Sequence, residues 1–250
     1  MQLISNKNWK CVFDILNNLG TCDNEYTELL AASYTFSPVT DHVMTSTSNL
    51  FDVKKAAALY YWYKMGDRFD KSILEYFDEY KRCLDDTHHE FNSNYGYYAY
   101  TRGGIKRCID YLYENKDSRQ ACFCINNNRA MHHDSIDKLC TNAIQFFIRN
   151  NRLEMIVQMR SSNFLTLLPY DAFTFTVFFQ HVYSYLKHSK YYDLQPGLIH
   201  MQVGSLHYYE NDLKKYEATK NQNILIDDFV DSNWQINLEN KLTNFLKQNI

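Results

Sequence analysis

Glycine and proline are scarce, with 7 and 3 among 250 residues. That shortage excludes collagen-like repeats and long low-complexity linkers. No glycine-rich phosphate loop occurs either; Arg102-Gly103-Gly104 reads as a turn. Charge of one sign is also missing. The 26 Lys and Arg against 29 Asp and Glu leave a net charge of −3, which argues against a general nucleic-acid-backbone binder. Any phosphate must then be held by a few placed arginines. No apolar run reaches membrane-spanning length, and the stretch around 173–179 is broken by Thr. The seven cysteines are an odd number, with no signal-peptide pattern ahead of Trp9, so reduced thiols are expected rather than a disulfide framework. The expectation is a soluble cytoplasmic protein with neither membrane nor nucleic acid as partner.

What the chain has in excess is aromatic side chains, 21 Tyr and 16 Phe. Its length and 45% hydrophobic content suit one domain spanning 1–250. Apolar residues at helical spacing predict helices over 8–19, 53–65, 70–80, 105–114 and 173–186. Alternating or β-rich runs predict strands at 31–34, 120–125, 142–148, 153–158 and 198–203, with 149–152 turning a hairpin. Ser205 reads as the N-cap of a last helix, 205–216. The class is α+β, with a mixed sheet flanked by long helices.

Cys140 opens a strand-rich region, in Leu139-Cys140-Thr141-Asn142. A lone cysteine is more often a small buried apolar residue than a nucleophile. Here Arg119 lies about twenty residues upstream, in Asp117-Ser118-Arg119, and Arg160 about twenty downstream, in Met159-Arg160-Ser161. Two guanidinium groups near a thiol lower its pKa and can hold a phosphate. Further on stands Gly204-Ser205-Leu206-His207-Tyr208-Tyr209. Other clusters have blander readings. Cys122 and Cys124 share one side of a strand without a second ligand pair for zinc. His88-His89-Glu90 and His132-His133-Asp134 suit polar loops.

These ordered blocks, with Ile144-Gln145-Phe146 between them, resemble the thymidylate synthase superfamily over most of residues 92–213. Asn92-Ser93-Asn94-Tyr95-Gly96, Cys140-Thr141-Asn142 and Val203-Gly204-Ser205-Leu206-His207 are similar to the phage-type deoxycytidylate hydroxymethylase branch. Ala31-Ala32-Ser33-Tyr34 and Trp62-Tyr63-Lys64 carry a weaker likeness.

The resemblance implies a thymidylate synthase-like fold and a sheet-to-sheet homodimer. It implies a pyrimidine nucleoside monophosphate as substrate and 5,10-methylenetetrahydrofolate as one-carbon donor. By the same resemblance, Cys140 adds as thiolate to C6 of the ring, and C5 then attacks the one-carbon unit. Tyr95 lies near the reacting carbon. Arg160 and Ser161 bind the phosphate, Arg119 reaches across the dimer into the partner's site, and His207 and Tyr209 bond the sugar hydroxyl. Asp171 occupies the position that reads the base. A carboxylate accepts from the C4 amino group of cytosine and favours a proton at N3, so Asp171 points to dCMP; an N-cap role before 173–186 is the structural alternative.

Several positions depart from the family pattern. Gln120 stands where a second arginine is usual, so the phosphate loses one contact. Leu59 stands where family enzymes carry a glutamate, and 53–66 contains no Asp or Glu. Asn163 replaces the folate-contacting aspartate, and Leu167 a nearby glycine. The leading expectation is a deoxycytidylate 5-hydroxymethyltransferase. The alternatives are a C5 methyl- or hydroxymethyltransferase on dUMP or CMP, and a nucleotide-binding homologue without turnover.

Overall fold

The computed structural model describes residues 2–5, 9–23, 25–38, 52–84, 89–126 and 136–218. Among them the chain runs β1 (Gln2–Ser5), α1 (Trp9–Leu19), β2 (Thr21–Cys22), β3 (Tyr26–Phe36), α2 (Val53–Met65), α3 (Gly104–Glu114), β4 (Cys122–Cys124), β5 (Thr141–Arg149), β6 (Arg152–Asn163), α4 (Leu168–Ser189), β7 (Gln195–Tyr209) and α5 (Glu210–Ala218). The seven strands form one sheet in the order β1-β3-β7-β6-β5-β4, with β2 on the side of β3. It is mixed: β1–β3 and β6–β7 are parallel, the other pairs antiparallel. This is the α+β architecture expected from the alternating runs.

Helix α2 spans the predicted 53–65. The Asp52 carboxylate accepts from the Lys54 and Lys55 amides, and Gly66 ends the helix at φ 59, a left-handed conformation that glycine adopts at little cost. The β5–β6 hairpin turns at Asn150 and Asn151, with φ of 49 and 58, the left-handed pair that a two-residue turn requires. Helix α4 buries most of its length, including Phe173, Phe175, Phe178 and Phe179, in the core.

Three expectations differ from the structure. The segment 70–80 is not one helix but two 3₁₀ turns, Ser72–Glu75 and Asp78–Cys83. Asp70 accepts from the Ser72 amide and hydroxyl, and the buried Ile73 and Phe77 anchor separate turns. The segment 205–216 is not one helix. Strand β7 runs on to Tyr209, because Ser205–Tyr209 is paired with β3, and Ser205–His207 also with β6. Helix α4 begins at Leu168 with Pro169 in its first turn. Asp171 therefore lies inside the helix, its amide bonded to the Leu167 carbonyl at 2.9 Å, and is not the N-cap.

The pleat slips by one residue along a line crossing the sheet. Buried residues are odd-numbered before the line, and the alternation resumes on even numbers after it, where Ser33 and Asn163 are buried as well. In β3 they run Thr27, Leu29, then Ala32, Tyr34; in β7, Met201, Val203, then Leu206, Tyr208; in β6, Val157, Met159, then Ser162. The break falls at Leu30, Ser205 and Ser161, which are register partners. Ala31 takes φ 53 there, and β5 has its own register shift between Thr141 and Ala143. Gly204 lets β6 approach: a Cβ there would sit 2.6 Å from the Arg160 carbonyl oxygen. Such bulges bend strands and re-aim side chains.

Candidate active site

The bulge line sets out the site. Cys140, partly buried, directly precedes the irregular start of β5. On β6 the slip lets consecutive residues reach different partners. The Ser161 hydroxyl donates to the Cys140 sulfur at 3.6 Å, and the Ser162 hydroxyl to the Asp171 carboxylate at 3.4 Å. Arg160 reaches back along the strand end. Its Nε donates to the Leu139 carbonyl at 2.8 Å and Nη2 to the Lys138 carbonyl at 3.1 Å. Nη1 donates to the Ser161 hydroxyl at 3.1 Å. One guanidinium thus fixes both the segment carrying Cys140 and the hydroxyl beside the thiol.

Burial raises the Cys140 thiol pKa above its ordinary value, while the Arg160 charge and the Ser161 hydrogen bond pull it down. An arriving phosphate would change that balance by occupying the guanidinium. Burial pushes the Asp171 carboxyl up to about 7, and the Ser162 hydroxyl partly offsets this. A carboxyl in that range exchanges its proton at neutral pH. Burial raises the Tyr95 phenol pKa above its ordinary value, and the Asp171 and Cys140 charges add to this. The Tyr95 ring is buried and stacked on Tyr63, centroids 5.6 Å apart and planes 10° apart. Tyr95 precedes a widened helical turn over Tyr97–Thr101, closed by Arg102 N–H to the Tyr97 carbonyl.

His207 sits farther along the bulge line, on β7 and opposite Asn163 of β6. Burial lowers its pKa, and it senses the Arg160 charge. Tyr209 is 46% exposed and packs edge-on against His207 at 5.3 Å. Asn163 is buried and committed within the chain. Its amide donates to the Asp212 carboxylate at 2.8 Å, and its oxygen accepts from the Leu165 and Thr166 amides. Arg119 is not brought to Cys140. It lies on an exposed loop before β4, where its carbonyl accepts from the Gln145 side chain at 2.9 Å. Gln145 is in the middle of β5, and at about 3.3 Å per residue it lies roughly 17 Å from Cys140 along the strand.

Three residues at this site carried no signal that was used at the sequence level. Asp137 is buried and accepts from the Ser93 amide and hydroxyl, both at 2.8 Å. It ties the Cys140 segment to the turn leading into Tyr95, and its place three residues before the cysteine was the available hint. Ser162 directly follows Arg160-Ser161. Glu28 accepts from the Ser205 hydroxyl at 2.6 Å, next to His207, and only strand pairing reveals it. No group of three or more metal-ligating side chains occurs among the described residues. His132, His133 and Asp134, like His88, lie outside them. No described helix is long and apolar enough to cross a membrane.

The family model for thymidylate synthase matches residues 55–242. The chain belongs to the thymidylate synthase family. Deoxycytidylate 5-hydroxymethyltransferases of enterobacteria phages T4 and T2 are each 29% identical to it over 110 residues. That stretch covers 41% of this chain and 44% of each phage protein. Thermostable thymidylate synthase A from Bacillus subtilis shares the fold, with a TM-score of 0.66 at 11% identity, over 87% of this chain and 84% of that one. The match to the phage proteins thus spans less than half their length.

Proposed function

We propose that this protein transfers a one-carbon unit to C5 of dCMP, through a covalent adduct on Cys140, and releases a hydroxymethylated nucleotide. The observation that carries the reading is the placing of Cys140 and Asp171 by consecutive serines: Ser161 donates to the Cys140 sulfur and Ser162 to the Asp171 carboxylate. Burial raises that carboxyl to about 7. Cytosine presents an amino donor at C4 and a bare acceptor at N3. A carboxyl and N3 sharing one proton satisfy both edges, and the proton makes C6 more electrophilic toward the thiol. The 29% identity to phage deoxycytidylate 5-hydroxymethyltransferases supports the same base.

Arg160 and Ser161 take the phosphate beside Cys140, and His207 and Tyr209 take the sugar. Methylenetetrahydrofolate, when bound, supplies the one-carbon unit at the oxidation level of formaldehyde. The residues suit such a ring: the Asp212 carboxylate, held by Asn163, can accept from pterin N–H groups, and Leu167, 37% exposed, offers apolar contact. Asn163 then acts by holding Asp212.

The far position of Arg119 suits a contribution to a second copy's site, in a homodimer packed sheet to sheet. Among the described residues, the sheet face away from the core carries Leu30, 64% exposed, and the partly buried Ile156, Leu198 and Phe147. The whole chain, 1–250, forms one such domain, working in the cytoplasm.

The test is tritium release from 5-labelled dCMP and dUMP, with and without methylenetetrahydrofolate. Folate-dependent release from dCMP is expected. Release from dUMP alone would make the protein a transferase of another pyrimidine. Binding without release would favour the second reading, a nucleotide-binding homologue, which Leu59 at 3% exposure in the α2 core supports.

A further inference from the structure

Arginines gather at a second place in the fold. Arg68, Arg102 and Arg107 line a cavity of about 270 Å³, whose rings are Tyr97, Tyr98 and Phe123. The lining comes from the Tyr97–Thr101 turn, the start of α3 and β4. None of the residues placed around Cys140 borders it.

Arg68 is 4% exposed and still lines this space. A buried guanidinium is costly unless its charge and its donors are met. Here they are met in part. Nη2 donates to the Glu90 carboxylate at 2.5 Å and to the Asn92 side-chain oxygen, and Nε donates to the Phe91 carbonyl at 3.4 Å. Its charge also lies 5.0 Å from the centroid of the Tyr97 ring. Nη1 makes no hydrogen bond among the described residues, so two donors of a buried cation are unspent.

Arg102 and Arg107 are exposed beside it. Arg107 donates to the Arg102 carbonyl at 2.9 Å, and neither guanidinium has an acidic partner among the described residues. The first turn of α3 adds no acid, and Gly103 brings no side chain to it. Three arginines against Glu90 leave an excess of positive charge, in a chain whose net charge is −3. Like charges held together this way repel one another until an anion joins them. Burial pushes the Tyr98 phenol up to about 12 against the pull of Arg68, so its hydroxyl keeps its proton at neutral pH and can donate it to an anion.

We propose that this cavity binds a nucleoside di- or triphosphate, at a site separate from the one beside Cys140. The guanidinium forks suit phosphate oxygens. The rings suit a base, since every base has a face to stack. The volume is near the roughly 300 Å³ at which small-molecule sites begin, more than a lone phosphate fills.

The experiment measures binding of ATP, GTP, dCTP and dTTP to the full chain by calorimetry. It is run with dCMP in excess, and again in Arg160→Ala, so that occupancy beside Cys140 is excluded in two ways. At least one triphosphate should bind at one per chain under both conditions. Inorganic tripolyphosphate should bind that site about tenfold or more weakly, because it lacks the stacked base. Arg102→Ala and Arg107→Ala should each weaken the triphosphate by about tenfold or more, with dCMP affinity within twofold of wild type and an unchanged melting curve. No triphosphate bound under either condition would overturn the site, as would wild-type affinity in the double variant. Tripolyphosphate binding as tightly as the best triphosphate would overturn the nucleotide as its ligand.

Discussion

The sheet and helix walls around the candidate residues differ in kind. The sheet wall, from Lys138 to Asn163, holds its polar groups through short hydrogen bonds to backbone: Arg160 to the Leu139 and Lys138 carbonyls, Asn163 to the Leu165 and Thr166 amides. The helix wall, α2 with the Tyr95 turn, is apolar or phenolic. Leu59, Tyr63 and Tyr95 are buried in a cluster of stacked rings. Charge and nucleophile sit where backbone carbonyls and amides can satisfy them. Neutral hydroxyls sit where only rings surround them, because an ionised group there would lack partners. The sheet side thus carries the candidate nucleophile with its charged partner, and the helix side carries neutral rings.

Breaking the sheet wall at its nucleophile has the largest effect. Cys140→Ser should abolish turnover while leaving dCMP binding largely intact, since the adduct cannot form without the thiolate. Product assays and equilibrium binding check this, and a variant keeping more than a few per cent of the wild-type rate would refute the covalent role.

Arg160→Ala comes next. It removes a charge-assisted phosphate contact, typically about 1.5–3 kcal/mol, so dCMP affinity should fall by one to two orders of magnitude. The same substitution removes the charge that draws the thiol pKa down. Alkylation of Cys140 by iodoacetamide at fixed pH should therefore slow, with its pH midpoint moved upward.

Asp171→Asn joins the two walls and has a middle effect. It should shift preference toward dUMP by roughly 1–3 kcal/mol, the cost of mismatching a buried polar edge. Burial raises the Asp171 carboxyl to about 7, so dCMP affinity should fall as pH rises through 7 in wild type and stay flat in the variant. The sign for folding follows. A carboxyl raised above its unfolded value, about 4, favours the fold fully below pH 4 and loses that contribution as pH rises to 7. Asp171→Asn should then gain stability over wild type at pH 8 but not at pH 4, as urea titrations at both pH values would show.

The smallest effect is expected at Leu59. If the helix wall uses this position for packing alone, Leu59→Met conserves volume and costs under about 1.5 kcal/mol, with turnover near wild type. A large loss of rate without loss of stability would give Leu59 a part in the chemistry and blur the contrast between the walls.

Much of the sheet wall was legible in the residues because its interactions are local along strands. Arg160 and Ser161 are neighbours, and both touch the Cys140 segment across one strand pair. The boundaries of α2 and the β5–β6 hairpin were legible for the same reason: Asp52, Gly66, Asn150 and Asn151 act on backbone within a few residues. Asp171 was recognised as a candidate, yet its place inside α4 was not, because Pro169 started the helix a turn earlier than the apolar pattern suggested.

Other features depended on pairing between distant segments. The slip of the pleat through Leu30, Ser205 and Ser161 needs three strands in register, and without it Ser161 and Ser162 would not reach Cys140 and Asp171. The same pairing keeps Ser205–Tyr209 as strand where local propensity favoured a helix start, since two neighbouring strands supply more hydrogen bonds than a cap. Asp137 against Ser93, Glu28 against Ser205 and Tyr63 against Tyr95 each join positions far apart along the chain or on separate elements. Local propensity and motif order are written in consecutive residues, so the sequence alone determined helix α2, the hairpin and the set of chemical groups. Which hydroxyl meets which carboxyl depends on how the bulged strands pair and how α4 packs on β6, and that only the tertiary structure decided.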